Sequence, residues 1–409
     1  MDCVGLCEVL FRGGMDRGLA QFLSVFAGVI LVSGVPLVTV IFLIWFERKF
    51  AARIQDRLGP NRVGPAGLLQ TFADLVKLLI KEDITPTAAD RLLYNVAPLV
   101  SFASVILIWA VVPFTPYHYG ADLDIGVMYF VAVASLGTLA IMTAGWASNN
   151  KYALLGAFRV VALLVSYEIP LVFALMVPVM LAGSMSMLDI IYAQSGMWFV
   201  FLSPLAAVLF FISSQAETGR APFDLIEAES ELVAGFNIEY SGMKFGMFFA
   251  AEFLHVFTNG ILLTILFFGG WLGIFWQEPL IAFLWLGLKG FLFYVVSLWI
   301  RNTVPRLRID QVMKFNWFFL VPVSILVVLV TAALVMIMKQ FGLVPLDAAG
   351  NMQLAGASVG DMLPLTIVLL LANALMIAPI LQRWRNVGRA ARAEDEARRA
   401  RYVSPAVGD

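Results

Sequence analysis

Residues 215–242 read QAETGRAPFDLIEAESELVAGFNIEYSG, with long apolar runs on both sides. Those flanks make the chain a membrane protein, so this stretch is a loop between two spans. It carries six acids, Glu217, Asp224, Glu227, Glu229, Glu231 and Glu239, and a single base, Arg220, with Lys244 just beyond. Loop orientation is set by Lys and Arg, and acids contribute little to it; these acids therefore have another task. Pro222 is suited to open a helix, since its missing N–H would be unpaired there. The pattern from Asp224 is helical and stops near Gly235. Asp224, Glu227 and Glu231 then share one face, while Glu229 points elsewhere. Carboxylates crowded on one face can hold or pass protons near neutral pH. A solvated acidic helix touching a basic partner is the simpler alternative.

Of 409 residues, 61% are apolar and 13% charged. This composition defines an all-α polytopic membrane protein without a sizeable soluble domain. Nine segments are long enough to span, near 22–46, 92–114, 125–146, 157–182, 197–215, 244–275, 280–300, 317–338 and 362–382. Together they form one integral membrane domain over 1–382, followed by a charged tail, 383–409. The 244–275 run is overlong, which implies tilt or a start before the bilayer. With the N-terminus outside, 23 of the 27 Lys and Arg fall on the cytoplasmic side and three outside. The expected topology is N-terminus out and C-terminus cytoplasmic, with the acidic loop cytoplasmic. Near-neutral net charge gives no nucleic-acid footprint. Cys3 and Cys7 lack His or Cys partners nearby and suit neither a metal site nor a disulfide.

After the first span, 47–83 reads ERKFAARIQDRLGPNRVGPAGLLQTFADLVKLLIKED. Its Gly, Pro and Asn residues mark an ordered turn. Leu68, Leu69, Phe72, Leu75, Val76 and Leu79 then recur at helical spacing, which predicts an amphipathic helix on the membrane surface. That helix either anchors the chain or forms the lip of a lipid-accessible cavity. Arg48, Arg53, Arg57 and Arg62 nearby either meet a polar headgroup or enforce topology. Glu168, in VSYEIP, lies about 17 Å into the fourth span at 1.5 Å per residue, near mid-membrane. A carboxylate there is a functional candidate, and Pro170 and Pro178 loosen the same helix. Glu252 and His255 share a face of the sixth span; such a His is either a hydrogen-bonded core residue or a proton carrier. Lys289, within the seventh span, pairs with a carboxylate or snorkels. Arg301, Arg306, Arg308 and Lys314 make the next loop basic. The acidic loop, 47–83 and 301–314 should assemble into one cytoplasmic docking surface. The tail reads as a solvated extension that binds anionic lipid. No glycine-rich nucleotide motif, cysteine ligand set or haem-type His pair occurs, so if the chain takes part in redox chemistry its electrons must come from a partner.

The segments ERKFAARIQDRLGPNRVGPAGLLQTFADLVKLLIKED, AFRVVALLVSYEIP, AETGRAPFDLIEAESELVAGFNIEYSGMKF and PRLRIDQVMKFNW resemble the quinone-chamber membrane subunit of bacterial NADH:quinone oxidoreductase (respiratory complex I). The resemblance covers about residues 20–340. It implies a multi-pass subunit of the bacterial cell (inner) membrane that carries no redox centre, metal or catalytic residue of its own. Quinone would be the substrate, and flavin and iron–sulfur clusters would reside only in partner subunits. Those partners are the hydrophilic arm's iron–sulfur and quinone-site subunits and the other membrane-arm subunits. It implies a quinone chamber at Glu47, Arg48, Arg57, Asp74, Arg301 and Arg306, entered from the bilayer between the first span, the amphipathic helix and the sixth span. It also implies coupling to proton translocation through Glu168, Glu217, Asp224, Glu227, Glu229, Glu231, Glu239 and Glu252. The chain departs from the family pattern in several places. Gly219 replaces an asparagine and should loosen its turn, Phe318 replaces a lysine, and the third span has no carboxylate. The ninth span and tail exceed the commonest eight-span form. A related membrane-bound hydrogenase anchor is the alternative. A secondary transporter would need inverted repeats, which are not evident, and a passive anchor would gain nothing from mid-membrane acids.

Overall fold

The computed structural model describes residues 17–224, 233, 235–345 and 354–403. Its long elements are α1 (Arg17–Ile54), α2 (Gln70–Ile80), α3 (Arg91–Ile108), α4 (Gly126–Ala147) and α5 (Lys151–Ala182). Short α6 (Met187–Ala193) and α7 (Phe199–Leu202) precede α8 (Pro204–Glu217). Then come α9 (Gly242–Phe267), α10 (Pro279–Thr303), α11 (Ile309–Gln340) and α12 (Val359–Val403). Among the described residues no strand forms beyond one isolated bridge between Pro113 and Tyr119.

Helix ends follow local chemistry. The Asp90 carboxylate accepts from Leu92 and Leu93 N–H to start α3, and the Asn150 side chain accepts from Tyr152 N–H to start α5, as N-caps do. Gly183, with φ 70°, closes α5 in the left-handed conformation that glycine takes without steric cost.

Eight described helices are long and apolar enough to cross a membrane, and they correspond to eight of the nine expected segments. The ninth, 197–215, is broken at Ser203 into α7 and α8. Pro204 has no N–H to continue the ladder, and the two pieces together rise roughly 27 Å at 1.5 Å per residue. The overlong 244–275 run has a different cause from tilt. Helix α9 ends at Phe267, and the remaining apolar residues form a turn through Gly269 (φ 71°) and Gly270 (φ 51°). The surface helix expected after the first span is α2, and all six of its expected apolar residues are exposed.

Helix α9 is the axis of the fold. Buried residues make up 78% of its most apolar window, against 17% for α1, 28% for α10 and 22% for α11. Those outer helices therefore leave apolar faces exposed, and between helices in a membrane small residues rather than hydrophobicity permit close approach. A Cβ on Gly260 of α9 would stand 2.9 Å from the Gly290 carbonyl oxygen of α10. A second, smaller core around Tyr94, Ala147, Ala157, Phe236, Tyr240 and Phe248 pins residues 235–240 under α3, α4 and α5. There the Tyr94 and Tyr240 rings stack at 4.2 Å.

Candidate functional site

Glu47 extends from α1 into the interior and is 7% exposed. Its Oε1 accepts from Arg220 Nη1 at 2.7 Å and from Arg301 Nη1, and its Oε2 accepts from the Tyr294 hydroxyl at 3.1 Å. Arg220 reaches it from the turn after α8. Gly219, at φ 62°, reverses the chain, and Arg220 N–H bonds the Gln215 carbonyl at 3.1 Å. The turn that glycine was expected to loosen is therefore hydrogen-bonded and closed. The helix expected from Asp224 to near Gly235 falls mostly outside the described residues, but Pro222 itself is not helical. It lies inside a turn in which Phe223 N–H bonds the Arg220 carbonyl at 2.9 Å. The Pro222 carbonyl accepts from Leu307 N–H at 3.0 Å, which ties this turn to the basic loop.

The Arg220 side chain is 1% exposed, and its Nε lies 3.2 Å from Glu252 Oε1 on α9. Its guanidinium also covers the Phe253 ring at 4.8 Å. One buried cation thus joins Glu47 to Glu252, with Arg301 as the second base, so two carboxylates face two guanidiniums. Burial opposes the Arg220 charge, but Glu47 and Glu252 outweigh it and its pKa is raised.

Behind Glu252 opens a cavity of about 80 Å³ whose polar lining includes Ser101, Ser104, Thr138, Glu217, Glu252 and His255. That is room for several waters among groups able to bond them. Glu217, at the end of α8, accepts from Asn259 Nδ2 at 3.3 Å and stands 3.9 Å from His255 Nε2. Thr138 Oγ1 donates to Glu168 at 3.5 Å, which brings the α5 carboxylate to the cavity's edge.

A family model described as NADH dehydrogenase matches residues 27–332. The NADH-quinone oxidoreductase H subunit of Brevibacillus brevis is 47% identical over 310 residues, covering 75% of this chain and 91% of that protein. The Dehalococcoides mccartyi protein of the same name is 48% identical, covering 74% and 84%, and that of Geobacillus thermodenitrificans is 47% identical, covering 72% and 89%. The chain belongs to this NADH-quinone oxidoreductase family of membrane subunits.

The remaining residues that the family resemblance singled out divide into three groups. Arg48 and Asp74 pair directly, which docks α2 beside α1, and Gln70 Nε2 donates to Asp74 at 3.2 Å. Glu239 accepts from Asn150 Nδ2 at 2.7 Å, at the mouth of the loop. Arg57 Nε instead bonds Gln55 at 2.7 Å, Arg306 is exposed, and Asp224 is half-buried; none of the three joins the Glu47 cluster. Glu227, Glu229 and Glu231 lie outside the described residues, as do Cys3 and Cys7. Local sequence patterns assign no role to Arg220, Tyr294 or Asn259. The first has a visible signal, as the lone base in an acidic loop, whereas the other two have none. Lys289 neither pairs with a carboxylate nor snorkels. Its Nζ donates to the Phe268, Gly270 and Leu272 carbonyls at 2.8, 3.0 and 2.7 Å. Unwound backbone within a membrane needs such partners, and Lys289 supplies them where α9 ends.

Proposed function

We propose that this membrane subunit of an NADH:quinone oxidoreductase forms the membrane-side wall of a quinone chamber and couples quinone reduction to proton translocation. The observation that carries the reading is Arg220, buried and shared between Glu47 and Glu252. Glu47 and Arg301 would face the quinone headgroup, with Arg48 and Asp74 beside it on the α1–α2 edge and Arg57 and Arg306 on the exposed rim. Glu252 opens on the cavity that holds Glu217. A soluble arm carrying flavin and iron–sulfur clusters would deliver electrons, and reduction to quinol creates a demand for protons at the headgroup. A change of charge there alters how Arg220 is divided between its two carboxylates. It thereby alters the field at Glu217 and Glu168, and at Asp224, Glu227, Glu229, Glu231 and Glu239 around the loop. This is an electrostatic switch, not a continuous wire.

Three observations support a common docking face. The turn at 220–223 contacts both Glu47 and Leu307. Lys244 pairs with Asp83 at 2.8 Å. The exposed apolar residues of α2, which packs against both α1 and α9, suit a lipid-side entrance for a quinone tail. The excess of Lys and Arg supports a cytoplasmic position for this face, with the N-terminus outside a bacterial cell membrane. The first test is purification through a tag on the C-terminal tail, followed by assay of quinone-dependent NADH oxidation. Co-purifying flavin and iron–sulfur subunits with that activity are expected; a nickel hydrogenase pair in their place would overturn the reading. In the assembled complex, Glu231→Gln should depress quinone reduction and pumping together, and normal coupled turnover would remove Glu231 from the path.

A further inference from the structure

His255 is the one titratable group of the cavity to which the coupling scheme gives no task. It follows Glu252 by three residues on the inner face of α9, and both line the cavity. Its Nε2 is buried and makes no hydrogen bond, yet stands 3.9 Å from Glu217 Oε1. That separation is too long for a direct bond. A small side-chain rotation or one bridging water, for which the cavity has room, closes it.

We propose that His255 and Glu217 share one proton and act as a single proton-carrying pair between Glu252 and Glu168. In one state Glu217 is a neutral acid and His255 a neutral imidazole. In the other the proton has moved from the Glu217 carboxyl to His255 Nε2, leaving carboxylate and imidazolium. One O–H bond breaks, one N–H bond forms, and the net charge of the pair stays at zero. An uncharged pair is far easier to hold at this depth than a lone carboxylate. The charged or titratable groups facing it are few. Helix α9 itself presents Glu252, the turn after α8 presents Arg220 beside Glu252, and α5 presents Glu168 through Thr138. Helices α3 and α4 contribute hydroxyl and apolar groups to the lining. Asn259 donates to the other Glu217 oxygen and leaves Oε1 to His255. The position of the shared proton therefore responds to the charge of Glu252, which Arg220 controls.

The inference rests on the coupling reading, so the experiment separates the two. The intact complex is assayed in its own membranes with wild-type chain and with His255→Asn, whose amide can donate a hydrogen bond but carry no proton. NADH oxidation by ferricyanide reports the partner subunits and should not change. Quinone-linked turnover should fall about tenfold, toward the range seen when a proton-transfer group is removed. The acid limb of its pH profile, where the pair takes up a second proton, should vanish. Glu217→Gln added to His255→Asn should cause little further loss, because members of one unit are not additive. If His255→Asn fails to assemble, His255→Gln makes the same comparison. Unchanged quinone-linked turnover with an unchanged pH profile would overturn the pair and leave the coupling reading standing. Absence of quinone-dependent NADH oxidation in the wild type would overturn both.

Discussion

At the residue scale, Arg220 decides how this interior holds its charge. A guanidinium can serve two carboxylates at once: Arg220 donates to Glu47 from Nη1 and ion-pairs with Glu252 at 3.2 Å. Arg220→Met would remove the buried cation that Glu47 and Glu252 share. Breaking a buried pair from one side costs roughly 3–5 kcal/mol, so assembled complex and its thermal midpoint should both fall sharply on a native gel and in a melting assay. Arg220→Lys supplies one compact ammonium that reaches a single carboxylate. It should recover much of the stability and little of the quinone-linked turnover. Equal recovery of both would show that charge alone, and not the bridge, matters. In the sequence this residue is a lone base in an acidic loop. Its two partners lie on α1 and α9, and no local pattern connects them to it.

At the scale of elements, helical periodicity reveals α2 well, because an apolar stripe interrupted by Lys and Asp has one physical meaning at a membrane surface. Its exposed apolar face should matter to a lipophilic substrate more than to the fold. Leu79→Lys is expected to raise the apparent KM for a long-tailed quinone and to leave a short-tailed analogue almost unaffected, measured as NADH oxidation at varied quinone. The C-terminal end of α9 is hidden in the sequence because its turn is as apolar as the helix before it. Only the structure shows that Gly269 and Gly270 reverse the chain and that Lys289 caps it. Lys289→Met keeps the side chain's length and removes three charge-assisted hydrogen bonds. The loss should exceed roughly 2 kcal/mol, visible as a lower melting temperature without a change in KM.

At the scale of the whole molecule, α12 is an addition outside the matched family region, which ends at residue 332. It nevertheless contributes Met362, Leu365 and Leu369 to the main core. Asn373 Nδ2 donates to the Leu202 carbonyl at 3.3 Å, beside the break between α7 and α8. None of the proposed chamber or coupling residues lies on it. A chain ending at Phe341 should assemble into a complex with a lower melting temperature and unchanged quinone-linked turnover per complex. Loss of turnover would give α12 a part in the mechanism. The helix also continues without interruption into the charged tail, across the division expected near residue 382.

The sequence by itself determined the fold class, eight of the nine expected long apolar helices, the amphipathic helix and the family, all of which rest on local quantities. Transfer of an apolar run into lipid is a sum over neighbouring residues, and a motif is a run of letters. Only the tertiary structure decided which polar groups meet. Glu47 is 173 residues from Arg220 and 254 from Arg301, and Asn259 is 42 from Glu217. Such pairs are set by how helices cross and rotate against one another, through contacts such as Gly260 on Gly290, and that geometry has no periodicity along the chain. Mid-membrane acids could therefore be found in the sequence one at a time, whereas the cluster around Arg220 and the cavity beyond it exist only once α1, α8, α9 and α10 are packed.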